Sequence, residues 1–370
     1  MACFDNWNTV AEIPYLFKKA GCTVHVLCQK KSWVKSNSFY DEWIESAEGA
    51  MPFLDQLLGL ARQQAYDWII LCDEPLVKLV NENIEDSLFT NLLPLKIIAN
   101  RDALVSKVGL AGVCEKYGLT IPRYQAWHPQ EASPGFKMDL NFPVIVKPDF
   151  GWGGKDINIF RSQGELEAGL PALQAIGNTL IFQEFIEGKE VPVEALFYNG
   201  QLKMYAVSEI VTYDKGRFSY STRRRYYTND ELAKPLQQIG ESIGFHGFFN
   251  LAFIKSSKDG KYYLIEADPR ANSWTAYGRF AGCDFSDAIK NMFLPVPDVN
   301  KKFHSKNQQT EIALFHKDIR RCVFNRDVKG LFQWMFNYKG YWKFIPFYDW
   351  VLLKRIGREF YKEFVKKDYS

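Results

Sequence analysis

The sequence predicts a mixed α/β and α+β fold: an open α/β domain, two α+β lobes, and a C-terminal helical extension rich in aromatic and basic residues. Three observations carry this expectation. Helix and strand patterns alternate through the first hundred residues, a glycine-rich turn joins two β-type runs at 142–160, and a late hairpin ends in Glu266-Ala267-Asp268-Pro269-Arg270. The expected division is 1–99 for the α/β domain, 100–186 and 187–300 for the two lobes, and 301–370 for the extension.

Composition bounds what such a chain does. Its 370 residues are 47% hydrophobic and 24% charged, enough apolar material for two or three lobes with buried cores. A formal net charge of +3 is too small to imply a nucleic-acid partner and leans only faintly toward anionic ones. Seven cysteines, at 3, 22, 28, 72, 114, 283 and 322, include no Cys-x-x-Cys pair, which points to free buried thiols in a reducing cytoplasm and not to disulfides or zinc. No apolar run reaches the ~18 residues of a membrane span, and the N-terminus lacks the charged-then-apolar order of a secretion signal. A cytoplasmic protein, soluble or at most peripheral to a membrane, is expected.

In the N-terminal region Thr9–Ala20 repeats apolar residues at helical spacing, Thr23–Leu27 is extended, Met51–Gln64 is helical and Trp68–Cys72 is extended again. Such alternation builds a small open sheet with right-handed crossovers. Its first strand is expected to be missing or reduced to Met1–Phe4. A helix then runs from Asp102, a suitable N-cap, to Tyr117, with Gly118 at C′. It carries Lys107, whose plain alternative is a solvated surface lysine.

The stretch Phe142–Phe160, FPVIVKPDFGWGGKDINIF, is the most informative. Val144-Ile145-Val146 is continuously β-branched, as in a strand buried on both faces, and Lys147 stands at its end. Gly151, Gly153 and Gly154 let the backbone turn and present N–H groups with no Cβ in the way; Lys155 follows, and Ile157–Phe160 resumes with period two. A hairpin flap rooted on a lysine suits a polyphosphate, because open backbone donors wrap its oxygens while the ammonium supplies a point charge. A simple β-hairpin is the plain alternative, and neither GxxxxGK[ST] nor GxGxxG before a helix occurs here.

Leu180–Ile186 ends in Gln183-Glu184-Phe185-Ile186, and a second strand runs from Val191 to an Asn199-Gly200 hairpin turn. Backbone groups exposed at this passage between lobes can read the edge of a purine. Between 211 and 228 lies a polar, tyrosine-rich segment containing Arg223-Arg224-Arg225; the plain expectation is a solvated loop, the functional one that an arginine, taken as Arg225, binds an anion. Asp230–Ile243 repeats apolar residues at 232, 236, 239 and 243, a helix with one buried face. Asn250–Ile254 and Tyr262–Ala267 then form a hairpin across Asp259-Gly260, with Glu266 and Asp268 on one face of its second strand. Adjacent carboxylates repel unless a cation lies between them, which makes Mg2+ the natural third party; the alternative is an acidic pair bridged by Arg270.

Taken in order, Lys107, Lys147 with its glycine flap, the Gln183–Ile186 passage with Glu190, and Glu266-Ala267-Asp268-Pro269-Arg270 resemble the ATP-grasp superfamily, which includes biotin carboxylase, carbamoyl-phosphate synthetase and D-alanine:D-alanine ligase. The resemblance covers residues from about 100 to 290. It implies ATP between two α+β lobes, with Lys107, Lys147, Gly151, Gly153, Gly154 and Lys155 at the phosphates. Gln183, Glu184 and Ile186 then meet the adenine, chiefly through backbone groups of the last two, and Glu190 holds the ribose hydroxyls. Glu266 and Asp268 match the Glu-x-Asn-Pro-Arg metal ligands, for Mg2+ with Mn2+ as a substitute. Arg270 matches the arginine that touches the transferred phosphoryl group or the substrate carboxylate. Two departures stand out: the family's asparagine is Asp268, and Ala252 occupies the place of a further oxygen ligand, with Asn250 as the nearby replacement.

The implied activity is ATP-dependent joining of a carboxylate to an amine through an acyl phosphate, a reaction that needs no side-chain nucleophile. Rival readings are a carboligase or phosphotransferase on the same lobes and, because of Ala252, an ATP-binding pseudoenzyme acting as a scaffold. The expected partners are small-molecule carboxylates and amines, without nucleic acid. In the tail, Leu352, Ile356, Phe360 and Phe364 line one helical face, with Lys354, Arg355, Arg358, Lys362, Lys366 and Lys367 around the rest, just after the aromatic-rich run 331–350. Aromatic rings beside basic residues suit an anionic headgroup boundary, so peripheral contact with the inner face of a membrane is one expectation. Docking of that face on the protein's own lobes, or on a second subunit of a homodimer, is the other.

Overall fold

The computed structural model describes residues 1–85, 88, 91–129, 138–151, 154, 156–216, 218–293 and 309–364. Gly153 and Lys155 in the flap, and Lys366 and Lys367 in the tail, lie outside the described residues.

In the N-terminal region β1 (Ala2–Cys3), β2 (His25–Cys28) and β3 (Glu42–Glu45) form a parallel sheet in that order, with α1 (Ile13–Lys19) in the first crossover and α2 (Ala50–Gln63) and α3 (Glu74–Asn83) following. The first strand is thus present, at two residues. The expected strand Trp68–Cys72 is reduced to a bridge between Leu71 and Ala2. Directly after it, the buried Asp73 carboxylate accepts from Leu76 N–H as the cap of α3 and from Phe4 and Asp5 N–H, tying the start of the chain to the start of the helix. Burial outweighs those donors and pushes its carboxyl up to about 6.

The next helix, α4 (Lys107–Lys116), begins later than the sequence suggests. Ser106, not Asp102, is its N-cap, accepting from Gly109 N–H at 2.7 Å, while Asp102 belongs to a 3-10 segment, Ile98–Leu104. Lys107 therefore opens the helix. Strands β4 (Tyr124–Trp127), β5 (Val144–Pro148), β6 (Asn158–Phe160) and β7 (Leu180–Glu184) make an antiparallel sheet in the order β4-β7-β5-β6. Helix α5 (Gln163–Ala175) supplies Leu166 and Leu173 to a separate core with Val144, Val146, Leu180 and Phe182.

The facing sheet is antiparallel, in the order β12-β11-β8-β9-β10-β13. Its strands are β8 (Gly188–Tyr198), β9 (Gln201–Tyr213), β10 (Ser221–Tyr227), β11 (Gly247–Ser256), β12 (Tyr262–Asp268) and β13 (Thr310–Ala313). Asn199 and Gly200 both take positive φ, 51° and 81°, as their two-residue hairpin requires. Helix α6 (Ala233–Ile243) buries Leu236, Ile239 and Ile243, with Leu232 just before it, as their spacing implies. The arginine run departs from expectation: it is not a loop but part of β10, and the Arg223 and Arg224 side chains are only 8% and 12% exposed. Each has a carboxylate partner, without which a buried guanidinium would be strongly destabilising.

Helices α7 (Ser273–Tyr277) and α8 (Phe285–Met292) follow β12, and α9 (Phe315–Phe324), α10 (Val328–Met335) and α11 (Trp350–Phe364) follow β13. Asp318 of α9, fully buried, accepts from Thr222 Oγ1 (2.9 Å), Arg223 Nε (2.9 Å), Arg321 Nε (3.0 Å) and Trp334 Nε1 (2.7 Å), which fastens α9 and α10 to β10. The apolar face of α11 is docked on the protein itself: Leu352 and Ile356 pack with Ala11 and Trp33, and Phe360 packs against Phe315. No helix among the described residues is long and apolar enough to cross a membrane, and all seven cysteines are free thiols.

Candidate active site

Between the two antiparallel sheets lies a cleft of about 640 Å3. Lys107, Lys147, Gly151, Gly154, Gln183, Glu184 and Ile186 line it from one side, and Glu190, Arg224, Ala252, Glu266 and Asp268 from the other. Of the sequence candidates among the described residues, Arg225, Asn250 and Arg270 are not in its lining.

Two lysines converge from different elements. Asp149, at the root of the flap, accepts from Ser106 Oγ (2.9 Å) and Val108 N–H (2.8 Å), locking the start of α4 to the end of β5. Lys107 Nζ then donates to Gly151 O at 2.9 Å. Lys147 is 8% exposed; burial lowers its ammonium, opposed by Glu266 across the cleft and reinforced by Lys107. Gly154 has φ of +71°, and a Cβ there would lie 1.9 Å from Phe218 O, so only glycine lets the flap rest on the β9–β10 connection.

On the opposite sheet, register sets the acidic face. Ala252 pairs with Glu266, and Asn250 with Asp268. Burial, with Glu74 and Glu266 nearby, holds the Asp268 carboxyl well above the usual carboxylate range. Asn250 Nδ2 donates to Arg270 O at 2.8 Å, while its Oδ1 is buried with no hydrogen-bond partner among the described residues. Two repelling carboxylates and an orphaned amide oxygen make an all-oxygen donor set that fits Mg2+. Among the described residues no group of three His, Cys, Asp or Glu could hold a metal, so such an ion needs further ligands beyond these side chains. Glu190 accepts from Tyr213 OH at 3.2 Å; burial raises its carboxyl and Arg224 opposes this.

Two positively charged candidates behave differently from expectation. Arg225 stands opposite Glu209 in the β9 register, pairs with it and reaches Glu311 at 3.5 Å, turned away from the cleft. Strand alternation puts Arg224 on the opposite face, toward the cleft, where its Nη1 donates to Glu194 Oε1 at 2.7 Å and its guanidinium lies 4.6 Å from the Trp274 ring centroid. Arg270 sits behind Asp268, with Nε and Nη2 donating to Glu74 Oε1 at 2.8 and 2.6 Å, Asp268 at 3.7 Å and the Trp7 ring at 4.7 Å. Sequence reading missed Glu74 and Glu194. Glu74 looks like an ordinary acidic residue in the first turn of a helix, and Glu194 like one polar position in an apolar strand.

Residues 105–273 match the family described as ATP-grasp domain. Carbamoyl-phosphate synthase of Methanobrevibacter smithii is 24% identical over 258 residues, 67% of this chain and 67% of that protein. Phosphoribosylamine–glycine ligase of Fusobacterium nucleatum is 25% identical over 267 residues, 65% of this chain and 61% of that protein. For the multifunctional protein ura1 of Schizosaccharomyces pombe the match, 24% over 215 residues, spans 54% of this chain but 9% of that protein. Among solved structures, N5-carboxyaminoimidazole synthetase from Staphylococcus aureus complexed with ADP superposes with a TM-score of 0.63 at 17% identity, covering 88% of this chain and 85% of the other. An L-amino acid ligase from Bacillus licheniformis gives 0.57 at 16%, covering 81% and 75%. The chain therefore has the ATP-grasp fold, and the residues named above as lining the cleft fall within the stretch 105–273 that matches the ATP-grasp domain.

Proposed function

We propose that the protein is an ATP-dependent carboxylate–amine ligase, which converts ATP to ADP and phosphate and forms an amide or peptide bond between small molecules. The observation that carries this is the convergence in one cleft of Lys107 and Lys147 with Glu266 and Asp268: cations for a polyphosphate on one wall, carboxylates for its metal on the other. In this reading the two lysines and the backbone at Gly151 and Gly154 hold the phosphates, Gln183, Glu184 and Ile186 meet the adenine, and Glu190 holds the ribose. Glu266 and Asp268, with Asn250 Oδ1 in place of the oxygen ligand absent at Ala252, would hold Mg2+, whose charge would offset that of the phosphates. A carboxylate oxygen of the acid attacks the γ-phosphorus and ADP departs; the amine then attacks the acyl carbon, and phosphate leaves as the amine loses its proton. Arg224, held by Glu194, presents positive charge where the acyl phosphate forms, Arg270 adds its charge from behind Asp268, and enclosure between the lobes keeps water from the intermediate. ADP release screened against pooled carboxylates with pooled amines, followed by mass spectrometry of the product, tests this. Phosphorylated acid that accumulates without being consumed by any amine would replace the ligase with a phosphotransferase.

A second reading concerns where the enzyme works. Phe332, Met335, Phe336, Trp342, Phe347 and Trp350 are 48–70% exposed, beside exposed Lys329, Lys343 and Lys354. Aromatic rings among lysines suit the headgroup boundary of an anionic leaflet, so this surface, and not the docked face of α11, would hold a cytoplasmic enzyme against a membrane. Co-sedimentation with anionic but not zwitterionic vesicles supports it. Concentration-dependent dimerisation that is lost in a Phe336→Ser, Trp350→Ser variant, with no vesicle binding, would assign the surface to a second subunit instead.

A further inference from the structure

The connection between β9 and β10 lines the cleft through Phe218, Ser219 and Tyr220, and the strand ends that flank it are tied to the site. Tyr213, the last residue of β9, donates through its hydroxyl to Glu190, and Ser221, the first residue of β10, accepts from Arg224 Nε at 2.7 Å. Between them the chain folds on itself. Asp214 N–H donates to Tyr220 O at 2.9 Å, and Ser219 Oγ accepts from the N–H groups of Lys215 and Gly216 at 2.9 and 3.2 Å. On the cleft side Phe218 O meets the flap at Gly154, too closely for a Cβ. Phe218 and Tyr220 are each 41% exposed, so the connection buries little apolar surface that could hold it in place.

Its other side is held from outside the segment that matches the ATP-grasp domain. Arg320 of α9 donates through Nη1 to Tyr220 OH at 3.2 Å, and Asn325, directly after α9, donates through Nδ2 to Asp214 O. Burial and Asp214 push the Tyr220 hydroxyl up to about 12, so near neutral pH it stays un-ionised and accepts from the guanidinium. The mount is itself fixed. Asp318 of α9 is the buried acceptor of four side-chain donors, and Arg320 Nε is paired with Glu363 of α11 at 3.1 Å. A chain of contacts thus runs from α11 through α9 and the β9–β10 connection to the flap.

We propose that Arg320 and Asn325 are positioning residues for the nucleotide: they hold the β9–β10 connection against the flap, and so set how long a bound nucleotide is retained. The proposal rests on the reading of the cleft as a nucleotide site. Neither residue lines that cleft; they act through Tyr220 and Asp214. The C-terminal helices thereby take part in nucleotide binding.

Two measurements test it. The first is release of radiolabelled MgADP chased with excess unlabelled MgADP. Release is at least about threefold faster in Arg320→Ala, in Asn325→Ala and in Tyr220→Phe, which removes only the oxygen that Arg320 binds. Because Arg320 acts through Tyr220, adding Arg320→Ala to Tyr220→Phe changes release by less than about twofold more. Rates within about twofold of wild type in folded Arg320→Ala and Asn325→Ala, or effects of Arg320→Ala and Tyr220→Phe that multiply in full, overturn the proposal. The second measurement needs no nucleotide. Lys215 is exposed in the connection, and trypsin cuts there at least about fivefold faster in Arg320→Ala than in wild type, with cleavage elsewhere unchanged. Cleavage after Lys215 that is no faster than in wild type overturns it. If the wild type binds no MgADP the nucleotide reading fails, and the cleavage rate still decides whether α9 holds the connection.

Discussion

In the half of the cleft that we assign to the nucleotide, Lys147 and Glu266 face each other from separate sheets, and among the described residues neither forms a salt bridge. In the far half, Arg224 and Arg270 are already clamped, at 2.7 Å by Glu194 and at 2.6 Å by Glu74. The first arrangement leaves charge to be satisfied by what binds. The second spends carboxylates from β8 and from the N-terminal region to hold cations in place before anything binds. Substitutions in the two halves should therefore fail differently: loss of chemistry on an intact fold in one, loss of stability with weakened acid binding in the other.

The largest effect is expected at Lys147. Lys147→Ala removes a charge that faces the cleft and has no internal partner to orphan, so turnover should fall by at least about a thousandfold with an unchanged melting temperature. ADP release and thermal melting of the same preparation check both halves of that statement. Glu266→Gln follows, at about a hundredfold or more in rate, against about tenfold for Asn250→Ala, since only the first removes a negative ligand from the metal. Equal losses would mean that the metal is misplaced.

Glu74→Gln should behave in the opposite way. It strips the charge from the partner of a buried guanidinium, so stability should fall by about 2–4 kcal/mol in denaturant unfolding, and the KM for the acid should rise more than that for ATP. Asp73 tests the mount of this clamp, because it caps the helix that Glu74 opens. Its carboxyl is raised to about 6 from an ordinary 3.8, so between those values the folded protein keeps a proton that the unfolded chain has released. Stability should therefore decline as pH rises from about 4 to 6 and level off above, by up to about 3 kcal/mol for a shift of about two units. Asp73→Asn, which cannot titrate, should flatten that slope.

The same contrast explains what the sequence disclosed. The half assigned to the nucleotide is assembled from short runs whose backbone chemistry leaves local marks: a β-branched strand into Lys147, a glycine at 154 where a Cβ would collide, two carboxylates two residues apart on one strand. The far half is assembled from Trp7, Glu74, Glu194, Arg224 and Arg270, and no local pattern links residues so far apart in the chain. Arg224 and not Arg225 lines the cleft because the run is a strand, whose neighbours alternate between faces, while its polar, tyrosine-rich composition marks a loop. Asp102 lost its capping role to Ser106 because two acceptable caps lay four residues apart and the fold used the nearer one to fasten Asp149. Leu352, Ile356 and Phe360 were readable as an apolar face, but its partner, Ala11 and Trp33, comes from the other end of the chain.

Titration calorimetry of MgATP against the wild type, Lys147→Ala and Glu74→Gln tests the division most directly. The account predicts one nucleotide per chain for the wild type, affinity lowered by at least about tenfold in Lys147→Ala, and no more than a twofold change in Glu74→Gln. Nucleotide binding that is absent from the wild type, or that is lost in Glu74→Gln and kept without Lys147, would contradict it.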